Sequence, residues 1–515
     1  MMEEELFPER FGRRRKIAVV IRQNTRKPKT KRYHYLMQRK FLINLLLFLG
    51  LNLLIKPLWI FGIDRTVQNT VGEYHYGIYF ALFNFSMIFN MLLDLGVTNF
   101  NNRSVARSND FLQNGFSRIF TLKLLLGAFY ILFVMVAGWI AGYDVYQYKL
   151  LIPLVINQFL SGFILYLRSN VSGLMMFKTD SFLSVADRMV MIICCGILLW
   201  GNVVDVPFQI EWFIYVQTFA YLFTIAIALP IVLKKTKLKS PYLDYEYFKC
   251  ILCQSLPFAL LALLTNLHNR TDAILLERLL GAEQAGIYAS AFRLLDAAVI
   301  VSLLFSVLLL PIFTRMIAEK TSVNSLVKTS FTLIFIYGVV LATASFYYSY
   351  PIMGILYHDH VLESSNVFRI LMLSIAPLSA TYIFGTLLTA NGNLKKLNII
   401  AFVAMALNIG LNIILIPKYS ALGSAVASGC TQLIIIILEI IIAIKVFSLK
   451  LTKDYVIRLS GFLFFTIIAG WLSLKLPFDA KINLFIMLCL CGLSVFIFGL
   501  VKMKEVGLLL KKRGV

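Results

Sequence analysis

Charge is what this chain has least of. Asp, Glu, Lys and Arg together make up only 15% of its 515 residues, against about 25% in soluble domains. With 59% hydrophobic residues and a mean hydropathy of +0.80, it has too little polar surface to cover a water-soluble globule and reads as an integral membrane protein. Cysteine is scarce too. Its seven copies, Cys194, Cys195, Cys250, Cys253, Cys430, Cys489 and Cys491, fall within or at the edge of apolar runs, where they read as small packing residues rather than a disulfide framework. Cys250 and Cys253 form a C-x-x-C without the second ligand pair a structural zinc needs. The sequence contains no G-x-x-x-x-G-K-[ST], so it lacks the phosphate cradle of a nucleotide-driven pump. His358, Asp359 and His360 stand in a row in the longest outer loop, 350–366. Three consecutive ligands do not converge on one ion without unusual backbone geometry, so a solvated loop is expected there, with no metal and no cofactor.

What the chain does have is a succession of apolar runs of about 20 residues, the length of helix that crosses a bilayer core. They are continuously apolar where barrel strands would alternate, and lipid offers the backbone no hydrogen-bond partner, so they read as helices. Fourteen are expected between residues 41 and 501. Basic residues supply an independent test of the threading, because Lys and Arg gather on cytoplasmic loops. With the N-terminus inside, 38 of the 49 Lys and Arg fall on inner segments and 7 on outer loops, while Lys56, Arg188, Arg293 and Arg369 lie within runs. Both ends are then cytoplasmic. The net charge of +23 is explained by that topology and does not call for nucleic acid.

Residues 1–40 differ in kind, with four Glu followed by RRRK and RKPKTKR. They do not read as a signal peptide, because the apolar run that follows is too long and has no small-residue cleavage site. A basic tail that enforces the inside orientation is the plainer reading, and binding to anionic lipid the sharper one. Met37 directly precedes QRKFLIN and would also make a natural translation start.

The octapeptide GEYHYGIY, residues 72–79, recurs as GAEQAGIY at 281–288, in each case leading into an apolar run from the outside. Phe83 and Phe292 hold the same offset, and Asp64 and Asp272 precede the glycines at nearly the same distance. The copies are six runs apart. An even offset preserves direction, so the chain is expected to hold two parallel six-helix repeats plus two further helices. The expected division is a basic tail 1–40, a first bundle 41–233, a linker 234–249, a second bundle 250–445, two helices within 456–501 and a basic tail 502–515. The octapeptide glycines are expected at a turn or a close helix approach, with Tyr79 and Tyr288 anchoring helices near the interface.

LNLLIKPLWIFGIDRTVQNTVG, YGIYFALFNFSMIFNMLLDLGV, NRTDAILLERLLGAEQAGIYASAFRLLDA and LIPKYSALGSAVAS resemble segments of bacterial polysaccharide-biosynthesis membrane proteins. These are the O-antigen flippase family of the multidrug/oligosaccharidyl-lipid/polysaccharide (MOP) exporter superfamily. The resemblance covers roughly residues 37–500 and implies an all-α, MATE-like V-shaped bundle of about 14 transmembrane helices in the bacterial inner membrane. It further implies transfer of an undecaprenyl-diphosphate-linked oligosaccharide from the inner to the outer leaflet by alternating access, without catalysis. A polysaccharide polymerase and chain-length machinery would be its neighbours, alongside membrane lipids.

Such a substrate needs cations for its diphosphate. Charges inside runs are costly and usually face a cavity or a partner, which singles out Arg188, with Asp187 beside it, and Arg293, with Asp296 on the same helical face. The plainer reading of each is an internal ion pair pinning two helices. Lys56, beside Pro57, is expected to reach the outer interface, with the proline marking a kink. Arg65 with Asp64 and Arg270 with Asp272 are expected at the outer ends of their helices, as gate pairs or solvated rim charges, and Arg369 has the same two readings. Asp94 and Glu439 are expected to pair with basic loops.

An inside-negative potential would favour outward movement of two negative charges by about 4 to 5 kcal/mol per 100 mV, so the argument does not require a coupling ion. Two other functions are weighed. A cation-coupled drug exporter of the same superfamily would be expected to bury an acidic site, and the first run has no carboxylate in its interior. A membrane polymerase or glycosyltransferase would be expected to place catalytic groups on a larger outer loop than this chain has.

Overall fold

The computed structural model describes residues 50–98, 109–201, 206–236, 245–449 and 452–500, together with Leu47, 101–102, 105 and 203. The 1–40 tail with Met37, the 502–515 tail, the start of the first apolar run and residues 237–244 of the linker lie outside the described residues. Among the described residues there is no strand. The helices are α1 (Gly50–Leu93), α2 (Asn109–Ile140), α3 (Val145–Gly173), α4 (Phe177–Trp200), α5 (Ile210–Leu233), α6 (Tyr245–Leu280), α7 (Ala282–Ala318), α8 (Asn324–Leu356), α9 (Val361–Ala390), α10 (Leu394–Phe447), α11 (Lys453–Ser473) and α12 (Ala480–Ile497). Among the described residues, eleven of these helices have the length and composition needed to cross a bilayer; α6 is a further helix of 36 residues.

Three of these helices contain breaks, at Gly72 of α1, Tyr348 of α8 and Ser420 of α10. At about 1.5 Å per residue, straight helices of 44 and 54 residues, the lengths of α1 and α10, would be about twice as long as a bilayer core is thick. Gly72 interrupts α1 with φ 78° and ψ 167°, and Ser420 interrupts α10 with φ 51° and ψ −138°. At the Ser420 break the helix folds back on itself, so that Ile400 and Ala404 of one arm pack with Ile435 of the other. A shorter irregularity follows Pro57, where Leu58–Asp64 winds as a π-helix. Its wider turn places Trp59, Ile63 and Asp64 in the interior.

The repeated octapeptides form matching corners. Gly281, with φ 93° and ψ 172°, has nearly the backbone conformation of Gly72, a region essentially restricted to glycine. The second glycine of each copy is where the halves touch. A Cβ on Gly77 would come within 1.8 Å of the Ala282 carbonyl oxygen, and one on Gly286 within 2.2 Å of the Glu73 carbonyl oxygen. Each octapeptide is thus seated on the backbone of the other. Gln68 Nε2 adds a hydrogen bond to the Gly286 carbonyl at 3.0 Å.

The two tyrosines depart from expectation. Tyr79 and Tyr288 are buried, Tyr79 receiving a hydrogen bond from Gln217 and Tyr288 donating to Asp272. Both follow a corner that turns inward to meet its copy, and this carries them into the core. Around Tyr79, Trp59 stacks on Phe213 at 5.6 Å, which ties α1 to α5. The α11–α12 hairpin docks on α8 through Tyr348 and Ser473 at 2.7 Å and through Thr332 and Tyr455 at 2.8 Å.

Candidate functional site

The π-helical turn after Pro57 and the corner at Gly72 bring two parts of α1 to the same point on α7. Arg293 Nε lies 2.9 Å from Asp64 Oδ2 and donates to Tyr76 Oη at 3.0 Å. Its guanidinium lies over Phe80 and Phe83, 5.3 and 5.8 Å from the ring centroids, so charge and π-face both favour the cation. The Arg293 and Asp64 side chains retain only 14% and 3% exposure.

Asp296 is less tightly held. Its Oδ2 lies 4.0 Å from both Arg293 Nη1 and Arg270 Nη1, and its side chain is 34% exposed. Arg270 lies over Phe292, the counterpart of Phe83, at 5.6 Å and donates to Asn84 Oδ1 at 3.2 Å. It therefore faces α1 and α7 rather than a solvated rim. Arg188 lies over Trp59 at 5.3 Å, 3.9 Å from Asp187. Lys56, half-buried, is within electrostatic reach of Arg188, Arg168 and Asp187, so it joins this cationic group instead of reaching away from it. Arg293 and Arg270, with Asp64 and Asp296, thus line the seam between α1, α6 and α7, and Arg188 with Asp187 lies on the first-half side, between α4 and α1.

Asp64 turns to Arg293 rather than to Arg65, whose buried Nε has no hydrogen-bond partner among the described residues. Nor does Asp272 form a rim pair with Arg270. It is buried and accepts hydrogen bonds from Tyr288 Oη at 2.9 Å, Asn412 Nδ2 at 2.8 Å and Ser428 Oγ. Arg369 donates to Ser349 at 3.2 Å. Asp94 pairs with Lys123 of α2, which is buried, rather than with a loop. Glu439 is likewise buried in the second half, with Oε2 lacking a hydrogen-bond partner. His360, which precedes α9, reaches Glu283 at 3.1 Å and Glu73 at 3.8 Å. Among the described residues no group of three His, Cys, Asp or Glu is arranged to hold a metal ion.

Sequence reasoning missed Tyr76, Gln217, His268 and Asn412 as members of buried polar networks. A signal was present for part of this set: His268 and Asp272, Asn408 and Asn412, and Ser424 and Ser428 are polar pairs four residues apart inside apolar runs, each forming a polar stripe on one helical face.

A cavity of about 120 Å³ opens beside Arg270, Asp296 and Asp272. Pockets for drug-sized ligands measure roughly 300–1,000 Å³, so this cavity, which is lined by second-half residues, is smaller than such a pocket.

Similarity to known proteins agrees with this architecture. No curated protein sequence matches the chain, but solved structures do. The lipid II flippase MurJ in an inward closed conformation superposes with a TM-score of 0.62 at 16% identity, covering 90% of this chain and 98% of that one. A multidrug resistance MATE family transporter of the MOP superfamily matches in its inward-facing form with a TM-score of 0.59 at 13% identity, covering 78% of this chain and 94% of that one. Its outward-facing form gives a TM-score of 0.58 at 14% identity, with 79% and 95% covered. At these identities the likeness establishes the fold alone, the all-helical one that these transporters share. Residues 61–317, about half of the chain, carry the sequence profile of polysaccharide biosynthesis proteins, and the chain belongs to that family.

Proposed function

We propose that this protein moves an undecaprenyl-diphosphate-linked oligosaccharide from the inner to the outer leaflet of a bacterial cytoplasmic membrane by alternating access, as a carrier and not an enzyme. The observation that carries this reading is the set of arginines on and beside the seam. Arg293 and Arg270 lie where the two halves meet, Arg188 lies beside Trp59 within the first half, and each faces an aromatic ring and a carboxylate. Two of the three carboxylate contacts are long, at 4.0 Å for Arg270 and 3.9 Å for Arg188. A diphosphate entering an opened seam offers these guanidiniums more oxygens at shorter range than their resting partners do, and Arg is suited to bidentate phosphate contacts.

The cycle follows from where the halves touch. With Gly72 and Gly281 at the outer end, the octapeptide corners are the outer seal, and loading requires the opposite end to part. Binding draws Arg293 from Asp64 to phosphate, which removes one contact holding the halves together. The corners then separate and release the lipid outward, down an inside-negative potential. The family and the fold support a lipid-linked saccharide as cargo; the diphosphate and the polyprenyl chain are specific to this proposal.

The test is flipping of a fluorescent undecaprenyl-diphosphate oligosaccharide in proteoliposomes at matched folded protein. The unmodified protein is expected to expose the probe in the opposite leaflet, Arg293→Ala to lose at least about tenfold in rate and Arg293→Lys to recover part of it, because an ammonium keeps the charge without the bidentate fork. Equal rates in all three would remove Arg293 from the path. Absence of flipping together with export of cationic dyes would replace the cargo.

A further inference from the structure

Glu439 is a buried carboxyl group with no Lys or Arg among the residues lining its surroundings. It lies on the second arm of α10, is 4% exposed, and has one carboxyl oxygen, Oε2, buried without a hydrogen-bond partner. The other oxygen lies against α9, where Gly385 leaves it room: a Cβ there would approach Oε1 to 3.1 Å. The carboxyl group also lines a cavity of about 320 Å³ inside the second half, bounded by α6, α7, α9 and both arms of α10. Among the described residues the titratable groups facing this cavity besides Glu439 are His268 of α6 and Tyr382 of α9; α7 presents Ser306 and Leu310, and the first arm of α10 presents apolar side chains. No Lys or Arg lines it.

An ionised carboxylate buried in this way without a cation costs several kcal/mol unless water reaches it. The neutral acid does not. A constitutively apolar position would be filled more simply by Leu or Ile, like its neighbours in the same run. The cavity is also polar along one wall: Gln432 donates to Thr381 at 3.1 Å, and His268 has a buried Nδ1 with no hydrogen-bond partner. These groups form a line along which water can carry a proton between Glu439 and His268.

We propose that Glu439 is a proton-binding site of the second half, loaded and unloaded through this cavity. Uptake converts the carboxylate and a hydronium ion into the neutral acid and water; release reverses it. The neutral acid suits the closed packing around Gly385, while the carboxylate needs water in the cavity and therefore favours a loosened second half. Protonation is thereby coupled to the conformation of the half that carries Arg293.

The test is an infrared pH titration of the full-length protein in lipid nanodiscs, comparing the unmodified chain with Glu439→Gln and Gly385→Ala. The unmodified protein is expected to show a carboxylic C=O band that disappears as pH rises and is lost in Glu439→Gln. In Gly385→Ala, where the added methyl takes space needed to hydrate the anion, its midpoint moves to higher pH. A titrating band that is unchanged in Glu439→Gln, a Glu439 band that persists at every pH, or a midpoint unmoved in Gly385→Ala would each overturn the proposal. The two substitutions act from different helices, so misfolding of one variant leaves the other as a test. The readout needs no substrate, so its failure leaves the carrier reading standing, and a protein that does not flip lipid can still pass it.

Discussion

Arg293 and Asp64 face one another across the seam, 2.9 Å apart and nearly withdrawn from solvent, so the shortest charge contact of the site is also a tie between the two halves. Breaking a buried pair by removing one partner costs about 3–5 kcal/mol, because the other charge is left uncompensated. Asp64→Asn is therefore expected to lower the thermal unfolding midpoint in detergent. Asp64→Asn combined with Arg293→Gln should recover more than half of that loss. Additive losses across the four-member cycle would mean that the two side chains are not coupled.

The corner glycines predict a steric effect. Alanine at Gly77 or Gly286 drives a methyl into a carbonyl oxygen of the opposite octapeptide, and overpacking of this kind costs about 1–3 kcal/mol. Both variants should exchange amide hydrogens faster over residues 73–80 and 282–289, because the seal between the corners is forced apart. Gly410, with nothing within 4 Å of an added Cβ, is the control: Gly410→Ala should leave exchange at the corners unchanged and stabilise α10 by up to about 1 kcal/mol.

Ser420 holds the break in α10 with φ 51° and ψ −138°, which for a residue with a Cβ costs about 1–3 kcal/mol. Ser420→Gly relieves that strain at the expense of a more flexible unfolded chain. The net expectation is stabilisation of about 1 kcal/mol, read as a higher thermal midpoint. A lower midpoint would show that the serine side chain contributes more than its backbone conformation costs.

Asp272 collects hydrogen bonds from Tyr288, Asn412 and Ser428, three donors on α7 and both arms of α10. Asp272→Leu strands them, and each unmet buried donor costs about 1–3 kcal/mol. Asp272→Asn keeps one acceptor oxygen and should lose less. The ordering of leucine below asparagine in unfolding midpoint is the quantity to measure; equal midpoints would mean that the donors find other partners.

Much of the architecture was legible because it rests on local rules. Apolar runs report helices whatever their neighbours, and two glycine-led octapeptides at an even spacing of runs report a parallel duplication. The charged residues were harder to place, for a physical reason. Arg293 and Asp296 share a helical face, and their spacing says so, but nothing in the spacing says that Asp64 will swing under Arg293. That depends on a π-helical turn after Pro57 and on a break at Gly72. Standing near the ends of runs, Asp272 reads as a gate or rim charge and Glu439 as a partner of a basic loop. Helices that fold back at corners bring such ends into the interior, and a position along one helix does not reveal which other helix crosses it. Tyr79 and Tyr288 were misplaced for the same reason.

The reciprocal seating of Gly77 and Gly286 bears on the history of the chain. After a duplication the two copies of a segment are ordinarily free to drift apart, each accommodating its own surroundings. Here the surroundings of each octapeptide are the other octapeptide. A side chain acquired by one glycine collides with the backbone of its twin, so neither copy can change shape without displacing the other. This mutual constraint gives a reason for Gly77 and Gly286 to be kept together when so little of the duplication is readable elsewhere in the sequence.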